Sequence, residues 1–576
     1  MPTMENAETP EGGVQSASSQ LPGHLAFRIT QRQVSLALVG LALVYAFLSG
    51  FHTVFDLDMG WHLATGRYVV QHHAIPSTDV LSYTSPGAEW IYPPFAGVLF
   101  YGIYNALGYA GLTWFCALAL MALVACLVQG SCSRSESIAA AVLAIFAMPA
   151  LAVRMVPRPD LFTQLFFAIF LTQLWRYHRC SASVADGDPE HDGSTAALRR
   201  ARQRLWILPL VMLLWVNLHP GFLAGIGVLI AYLLVEGLEL LFPVRRARAL
   251  LRLQQAWPAL ASTVVVTLLN PFGYKIFKAT LALASLQPAS QAGKGPDIWE
   301  LQAMPVTLSN LVRGLLDWRG FGSSFWWLAV IAVVVIAVAL WNRQLGAALV
   351  VGVSLFGSIR HLRYQGMFAI TVIIVGSTIL TEALERRKEE GAQISVRRYG
   401  PLHWLAASAV CALCLLVCVR IADLISSRTY IVADSGMLFG PGESWWFPER
   451  AAAFIQREHL PGNIFQDYNL GGFTAWRLGP AYGDFIDGRN VDPAVWTEKQ
   501  GFISAPPDSP LWEKESDRRG INILFFSLAQ LSGSGIPDPL SLCQSHLWRP
   551  VYLDEVSIIL LRNRPENRPW IDRFEV

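Results

Sequence analysis

Two aspartates and a histidine, Asp56, Asp58 and His62, fall within seven residues of the segment FDLDMGWHLATGRYVV (55–70), directly after the first strongly apolar stretch. A carboxylate placed against a hydroxyl can take its proton as that oxygen becomes a nucleophile. His62 lies four residues beyond Asp58, so on a helix the two share a face. There the imidazole would orient the carboxylate, bind a phosphate, or cap the loop helix. His72 and His73, just beyond that segment, read as surface residues, and Asp79 reads as structural.

Basic and polar partners recur at four other places. Glu89 lies in the same loop as the aspartates. Arg154, Arg158 and Asp160 lie in RMVPRPDLF, Asn217 and His219 in LWVNLHPGF, Asp297 and Glu300 in the segment 271–323, and Arg360, His361 and Arg363 in SIRHLRYQGMF. Arginine clusters bind phosphate through bidentate hydrogen bonds. A phosphate leaving group is already stable as an anion, so cationic neighbours matter more to it than a general acid. The set suits transfer from a membrane-held, phosphate-linked donor. A transporter or flippase for a charged solute, or a noncatalytic component of an envelope-polysaccharide system, would use the same groups. Solvated helix ends are the plainest alternative.

The elements that must position these groups are apolar. Of 576 residues 53% are hydrophobic and only 15% charged, where soluble proteins carry about a quarter charged. Mean hydropathy is +0.39. The apolar residues come in blocks approaching the roughly 20 residues a bilayer crossing takes. The chain therefore reads as an α-helical polytopic membrane protein. Spans are expected near 33–51, 110–129, 137–153, 160–175, 205–218, 221–241, 254–270, 324–341, 344–359, 366–381 and 402–421, about eleven in all. The stretch IYPPFAGVLFYGIYNAL (91–107) reads as an interfacial or re-entrant helix.

Residues 1–32 read as a disordered cytoplasmic tail. With that end inside, Arg176, Arg179, Arg199, Arg200, Arg202 and Arg204, then Arg245, Arg246, Arg248 and Arg252, then Arg386, Arg387, Lys388, Arg397 and Arg398 all fall in inner loops, as the positive-inside rule asks. Every candidate named above then falls on the outer side, where charge at span ends is expensive unless paired or used. The layout gives a transmembrane domain over 33–421 with outer loops 52–109 and 271–323. It leaves 422–576 extracytoplasmic.

Within 422–576 charge rises and continuous apolar runs vanish. FPERAAAFIQREHL reads as an amphipathic helix opened by Pro448. Extended and helical runs then alternate through NIFQ, GGFTAWRL, GDFIDG, INILFFSLAQL and VYLDEVSIILLRN, the pattern of a small α/β domain. Asp467, Asp484, Asp487 and Arg489 sit at the ends of such runs, where α/β sheets place ligands. Asp487 and Arg489 are thus candidates for an acceptor or auxiliary role, or form a turn-stabilising pair. The Gly471–Gly472 pair lacks the spacing of a nucleotide fingerprint. Cys543 is the one cysteine of this region, so no internal disulfide is expected. A net charge of +2 gives no support to nucleic-acid binding.

The motifs DLDMGWHLATGRYVVQHHAIPSTDVLSYTSPGAEW, RPDLF, LWVNLHPGFLAG, LLNPFG and GNIFQDYNLGGFTAWRLGPAYGDFIDGR resemble a bacterial family of multi-span proteins. That family is grouped with the C-type-fold glycosyltransferases that use polyprenyl-phosphate-linked sugars, a class including protein O-mannosyltransferases and aminoarabinose transferases. The resemblance covers nearly all of the chain beyond the tail. It implies a bacterial inner-membrane enzyme moving a sugar from a polyprenyl-phosphate donor to an extracytoplasmic glycan, lipid or protein. A first-loop aspartate, Asp58 or Asp56, would serve as base, and Arg154, Arg158, Arg360, His361 and Arg363 would hold the donor phosphate. Glu89, Asn217, His219 and Glu300 are auxiliary candidates. A divalent metal, magnesium or manganese, is implied only for some members; Asp56, Asp58 and Glu300 would be its ligands here. The stretch 91–107 matches the membrane-parallel helix of that class. Trp61 and His62 are not part of its usual catalytic pair.

Overall fold

The computed structural model describes residues 30–186, 192–284, 302–317, 324–392, 400–433, 435–528 and 539–576. Each expected span falls on a helix. Seven helices are long and apolar enough to cross a membrane: Gln31–Gly50, Phe95–Gln129, Arg134–Ala152, Phe222–Leu240, Ser324–Trp341, Leu362–Arg387 and Ser408–Ile425. The remaining apolar helices, Asp160–Asp186, Ile207–Leu218, Pro243–Val265 and Leu345–Arg360, are shorter, less apolar or charged at one end. Helix ends are fixed locally. Thr30 and Gln33 form a capping box on the first helix, and the Ser133 hydroxyl accepts from Glu136 N on another.

The stretch 91–107 forms a helical segment of its own, set off from the helix that follows. Its residues from Phe95 onward open the Phe95–Gln129 helix, which breaks its direction at Gly108 (φ 64°, ψ −159°). That conformation is closed to residues with a Cβ, so glycine sets the bend between the loop half and the bundle half. At the opposite end of the bundle from Asp56, buried and half-buried ion pairs tie the helices together. Arg179 reaches Glu136 at 2.7 Å and Glu382 at 2.8 Å, and Arg252 reaches Glu236 at 2.7 Å.

The C-terminal region is the expected α/β domain, a four-stranded sheet in the order β1-β2-β4-β3. The strands are β1 (Asn463–Gln466), β2 (Ile521–Ser527), β3 (Trp548–Leu553) and β4 (Ser557–Arg562). β1 runs parallel to β2, and β4 pairs antiparallel with both β2 and β3. Central β2 and β4 are buried on both faces, which explains their unbroken apolar runs. The helix opened by Pro448 spans Glu449–Glu458. GGFTAWRL supplies the helix Gly471–Arg477, while GDFIDG forms no strand and makes one bridge, Ser82 with Asp484.

The first loop is held between bundle and domain. Its helix, Met59–His72, packs on the Phe95–Gln129 helix and on Gly471–Arg477 through glycines on both sides. A Cβ on Gly66 would stand 2.1 Å from Gly97 O, and one on Gly60 would stand 2.2 Å from Gly472 O. Arg67 donates to the carbonyls of Ala475 (3.2 Å), Trp476 (3.0 Å) and Gly479 (3.0 Å), satisfying helix-end acceptors that would otherwise lack partners. Its guanidinium also lies 4.7 Å over the Trp476 ring. Tyr83 donates to Ile464 O at 3.0 Å and Thr84 to Phe485 O at 2.5 Å.

This packing makes a paired prediction. Gly66→Ala forces two backbones apart and should destabilise by about 1–3 kcal/mol. Gly102→Ala, on the same helix pair but with nothing within 4 Å, should be neutral or slightly stabilising. Thermal inactivation rates of the two variants in detergent check it; equal behaviour would contradict the close packing.

Candidate active site

Asp58 stands at the N-terminus of the Met59–His72 helix, yet its side chain makes no capping bond. Asp56 accepts the Asp58 amide instead, at 3.0 Å. Both carboxylates turn toward Arg158, whose Nη2 lies 2.8 Å from Asp56 Oδ1 and 2.5 Å from Asp58 Oδ2. Arg158 is flanked by Pro157 and Pro159, and a residue before proline is disfavoured in helical geometry. RPD thus keeps the arginine in a turn, and the Asp160–Asp186 helix starts just after it.

A second constellation abuts the first. His219 ends the Ile207–Leu218 helix and points Nε2 at Asp160 Oδ1, 2.8 Å away. Its Nδ1 lies 2.7 Å from Thr163 Oγ1 and accepts from Gly221 N at 3.0 Å. Trp215 Nε1 donates to the same hydroxyl at 3.0 Å, leaving that hydroxyl proton for Nδ1. The hydrogen-bond pattern assigns the ring proton to Nε2. Burial holds His219 well below the usual histidine range, and the charges of Arg363 and Arg154 push the same way. Arg154 is itself paired with Asp160.

The four candidate phosphate-binding arginines therefore differ. Arg158 and Arg154 are committed to carboxylates. Arg363, half-buried in the turn after Leu345–Arg360, makes no ion pair among the described residues, and its charge is felt at both His219 and Tyr92. Arg360 is exposed, and His361 packs edge-on against Tyr364.

His62 does not hydrogen-bond to Asp58. It is 4% exposed and packed among rings, tilted against Trp61 (3.5 Å between centroids) and Tyr92 (5.8 Å) and edge-on to Phe100 (6.4 Å). Burial holds its pKa well below the ordinary value, with the charges of Arg158, His219 and Arg489 adding to that. A cavity of about 10 Å³, room for a single water, lies between it and Trp61, Thr65, Trp90 and Tyr92.

The C-terminal domain contributes directly. Gly488 lies against the Asp58 carboxylate and Gly472 against the Asp58 Cα. Tyr468 is close enough for Asp58 and Asp487 to help raise its phenol, after burial as the main cause, well above the usual value. In the sequence Tyr468 and Gly488 stand out only as members of the motif stretches QDYNLGG and IDGR. Asp487 and Arg489 are 2% and 4% exposed, out of reach of an acceptor. Arg489 donates to Asp487 at 2.7 Å and to Asp79 at 2.7 Å, with Asp484 at 3.8 Å, so Asp79 is the structural residue its position implied.

Other candidates take different places. Asn217 donates to Leu213 O and Leu269 O, tying two turns together. Glu89 is exposed and lines a cleft with Ser77, Thr78, Phe272 and Lys275. Asp297 and Glu300 lie outside the described residues. Asp56 and Asp58 are both paired with Arg158, and Glu300, the third residue of the expected divalent-metal set, lies outside the described residues. Among the described residues one group converges like metal ligands, His178, Glu236 and Glu239, at the opposite end of the bundle; Arg252 pairs with both of its carboxylates.

The neutral histidines predict a pH dependence. Below about pH 6.5 the unfolded chain takes up protons that folded His62 and His219 refuse, so stability falls as pH drops through that region. His62→Phe keeps the ring packing and should flatten the slope between about pH 6.5 and 5. Inactivation rate against pH for both proteins is the check.

No protein-family model matches the sequence, and no curated protein matches it. Solved structures do. The oligosaccharyltransferase AglB from Archaeoglobus fulgidus, in complex with an inhibitory peptide and a dolichol-phosphate, aligns with a TM-score of 0.56 at 11% identity, covering 90% of this chain and 73% of that one. The Archaeoglobus fulgidus oligosaccharyltransferase tethered with an acceptor peptide gives 0.55 at 12%, over 93% and 74%. ArnT from Cupriavidus metallidurans in the apo state gives 0.43 at 14%, over 91% and 97%. At these identities the likeness is one of fold. The chain is an α-helical polytopic membrane protein with C-type glycosyltransferase architecture and a C-terminal sheet domain.

Proposed function

We propose that the protein moves a sugar from a polyprenyl-phosphate-linked donor to an acceptor hydroxyl on the outer face of a bacterial inner membrane, with Asp58 as base. The carrying observation is the pairing of an aimed carboxylate with an uncommitted cation. Arg158 directs Asp58 from one edge, and Arg363, near enough for its charge to act on His219 and Tyr92, has no carboxylate partner among the described residues.

In this reading Asp58 takes the acceptor O–H proton while the oxygen lone pair attacks the anomeric carbon. The bond from that carbon to the phosphate oxygen breaks, and its electron pair stays on the phosphate. Arg363, with Arg360 and His361 on the same turn, stabilises that anion. Attack opposite the leaving group inverts the sugar. Arg154 and His219 fix Asp160 at the helix start and so shape the wall of the phosphate site. The fold's occurrence in a dolichol-phosphate-bound oligosaccharyltransferase supports a lipid-phosphate donor. No step runs through a metal.

Two variants separate the roles. Asp58→Asn should abolish transfer while undecaprenyl phosphate still binds the purified protein. Arg363→Ala should weaken that binding by about 10–100-fold, the worth of one charge-assisted hydrogen-bonded contact. Lipid-phosphate binding and transfer from a panel of radiolabelled polyprenyl-phosphate sugars measure both. Binding without turnover of any donor would favour a carrier role; undiminished transfer by Asp58→Asn would remove Asp58 as base.

A further inference from the structure

The turn Asp484–Arg489 of the C-terminal domain lies nearly 430 residues from Asp58 in sequence, yet its backbone touches the carboxylate. A Cβ built on Gly488 would stand 2.4 Å from Asp58 Oδ1, 2.7 Å from Cγ and 2.8 Å from Oδ2. Near-equal distances to all three atoms place that point over the flat face of the carboxylate, not at its edge. The edge belongs to Arg158, 2.5 Å from Oδ2. Two contacts from different parts of the chain thus limit both tilt and rotation of one side chain.

The turn is anchored too firmly to act as a loose cover. Arg489 N donates to Asp487 Oδ1 at 2.9 Å, and its Nε reaches both oxygens of the same carboxylate. Nη1 crosses to Asp79 of the first loop at 2.7 Å. Asp484 N donates to Leu81 O, and Asp484 O accepts from Tyr83 N at 3.2 Å. Arg489 also lies 5.6 Å over Trp90, which stacks on Tyr92 at 5.5 Å and 3°. Gly471 backs the turn, where a Cβ would stand 2.0 Å from Ile486 O. The clamp therefore joins the domain to the same loop that carries Asp58.

We infer that Gly488 and Arg489 are positioning residues for Asp58: the C-terminal domain sets the orientation of the base instead of binding the acceptor through Asp487 and Arg489. This rests on the reading of Asp58 as base. It makes glycine obligatory at 488 for a reason of contact, since a methyl group there would push the carboxylate off its aim.

The test uses full-length protein in nanodiscs. Gly488→Ala should lower kcat about a hundredfold, the cost of a misplacement near 1 Å, while donor KM stays within about threefold. Gly501→Ala, in the same domain with its nearest neighbour at 4.0 Å, should leave kcat unchanged. An activity-independent readout accompanies it: carbodiimide labelling of Asp58, followed by mass spectrometry, should rise in Gly488→Ala. Wild-type kcat or unchanged labelling in that variant overturns the inference. If Gly488→Ala no longer binds undecaprenyl phosphate, Arg489→Lys decides on the same readouts, with the same expected loss and rise. If Asp58→Asn transfers normally, the base reading fails, and labelling alone still decides whether the turn holds Asp58.

Discussion

One guanidinium between two carboxylates organises the loop end of this molecule. Arg158, in the turn before the Asp160–Asp186 helix, gathers Asp56 and Asp58 from the first loop. A charged group near a bilayer is costly unless paired, so the arginine and aspartates hold one another in a single arrangement. The helix start after RPD, the N-terminus of Met59–His72 and the turn carrying His219 all take their places around that pair.

Close approach is the second constraint. Gly60, Gly66, Gly97, Gly471, Gly472 and Gly488 lie where the first-loop helix is pressed between bundle and domain, and at each a Cβ would meet other atoms inside 3 Å. Small residues allow backbone to touch backbone, and here they let a soluble-type sheet domain reach an aspartate at a membrane helix bundle. The burial of Arg489 with three aspartates follows from that contact. Burial, with Asp487 next in effect, pushes the Asp484 carboxyl well above the usual carboxylate range, and Arg489 opposes that shift.

Pairing also sorts the charged candidates by task. Arg158, Arg154 and Arg489 are structural cations, each answered by carboxylates, whereas Arg363 has no such answer among the described residues. The buried and half-buried pairs at the opposite end of the bundle, Arg179 with Glu136 and Arg252 with Glu236, serve packing by the same rule.

Membrane class, helix positions and the small α/β domain were legible in the chain, because hydrophobic periodicity and length are local properties. So were three residues of the candidate site: Asp56, Asp58 and Arg158 stand out as charges at the ends of apolar runs. Which charge answers which was not legible. Asp58 meets Arg158 across 100 residues, and Asp79 meets Arg489 across 410. On a helix His62 would share a face with Asp58, but packing sets its ring among Trp61, Tyr92 and Phe100. The Gly471–Gly472 pair and Gly488 carry no chemistry in sequence; their meaning is an absent side chain, visible only once two distant backbones meet. Sequence determined what each segment is, and tertiary packing alone decided which groups are spent on one another and which stay free.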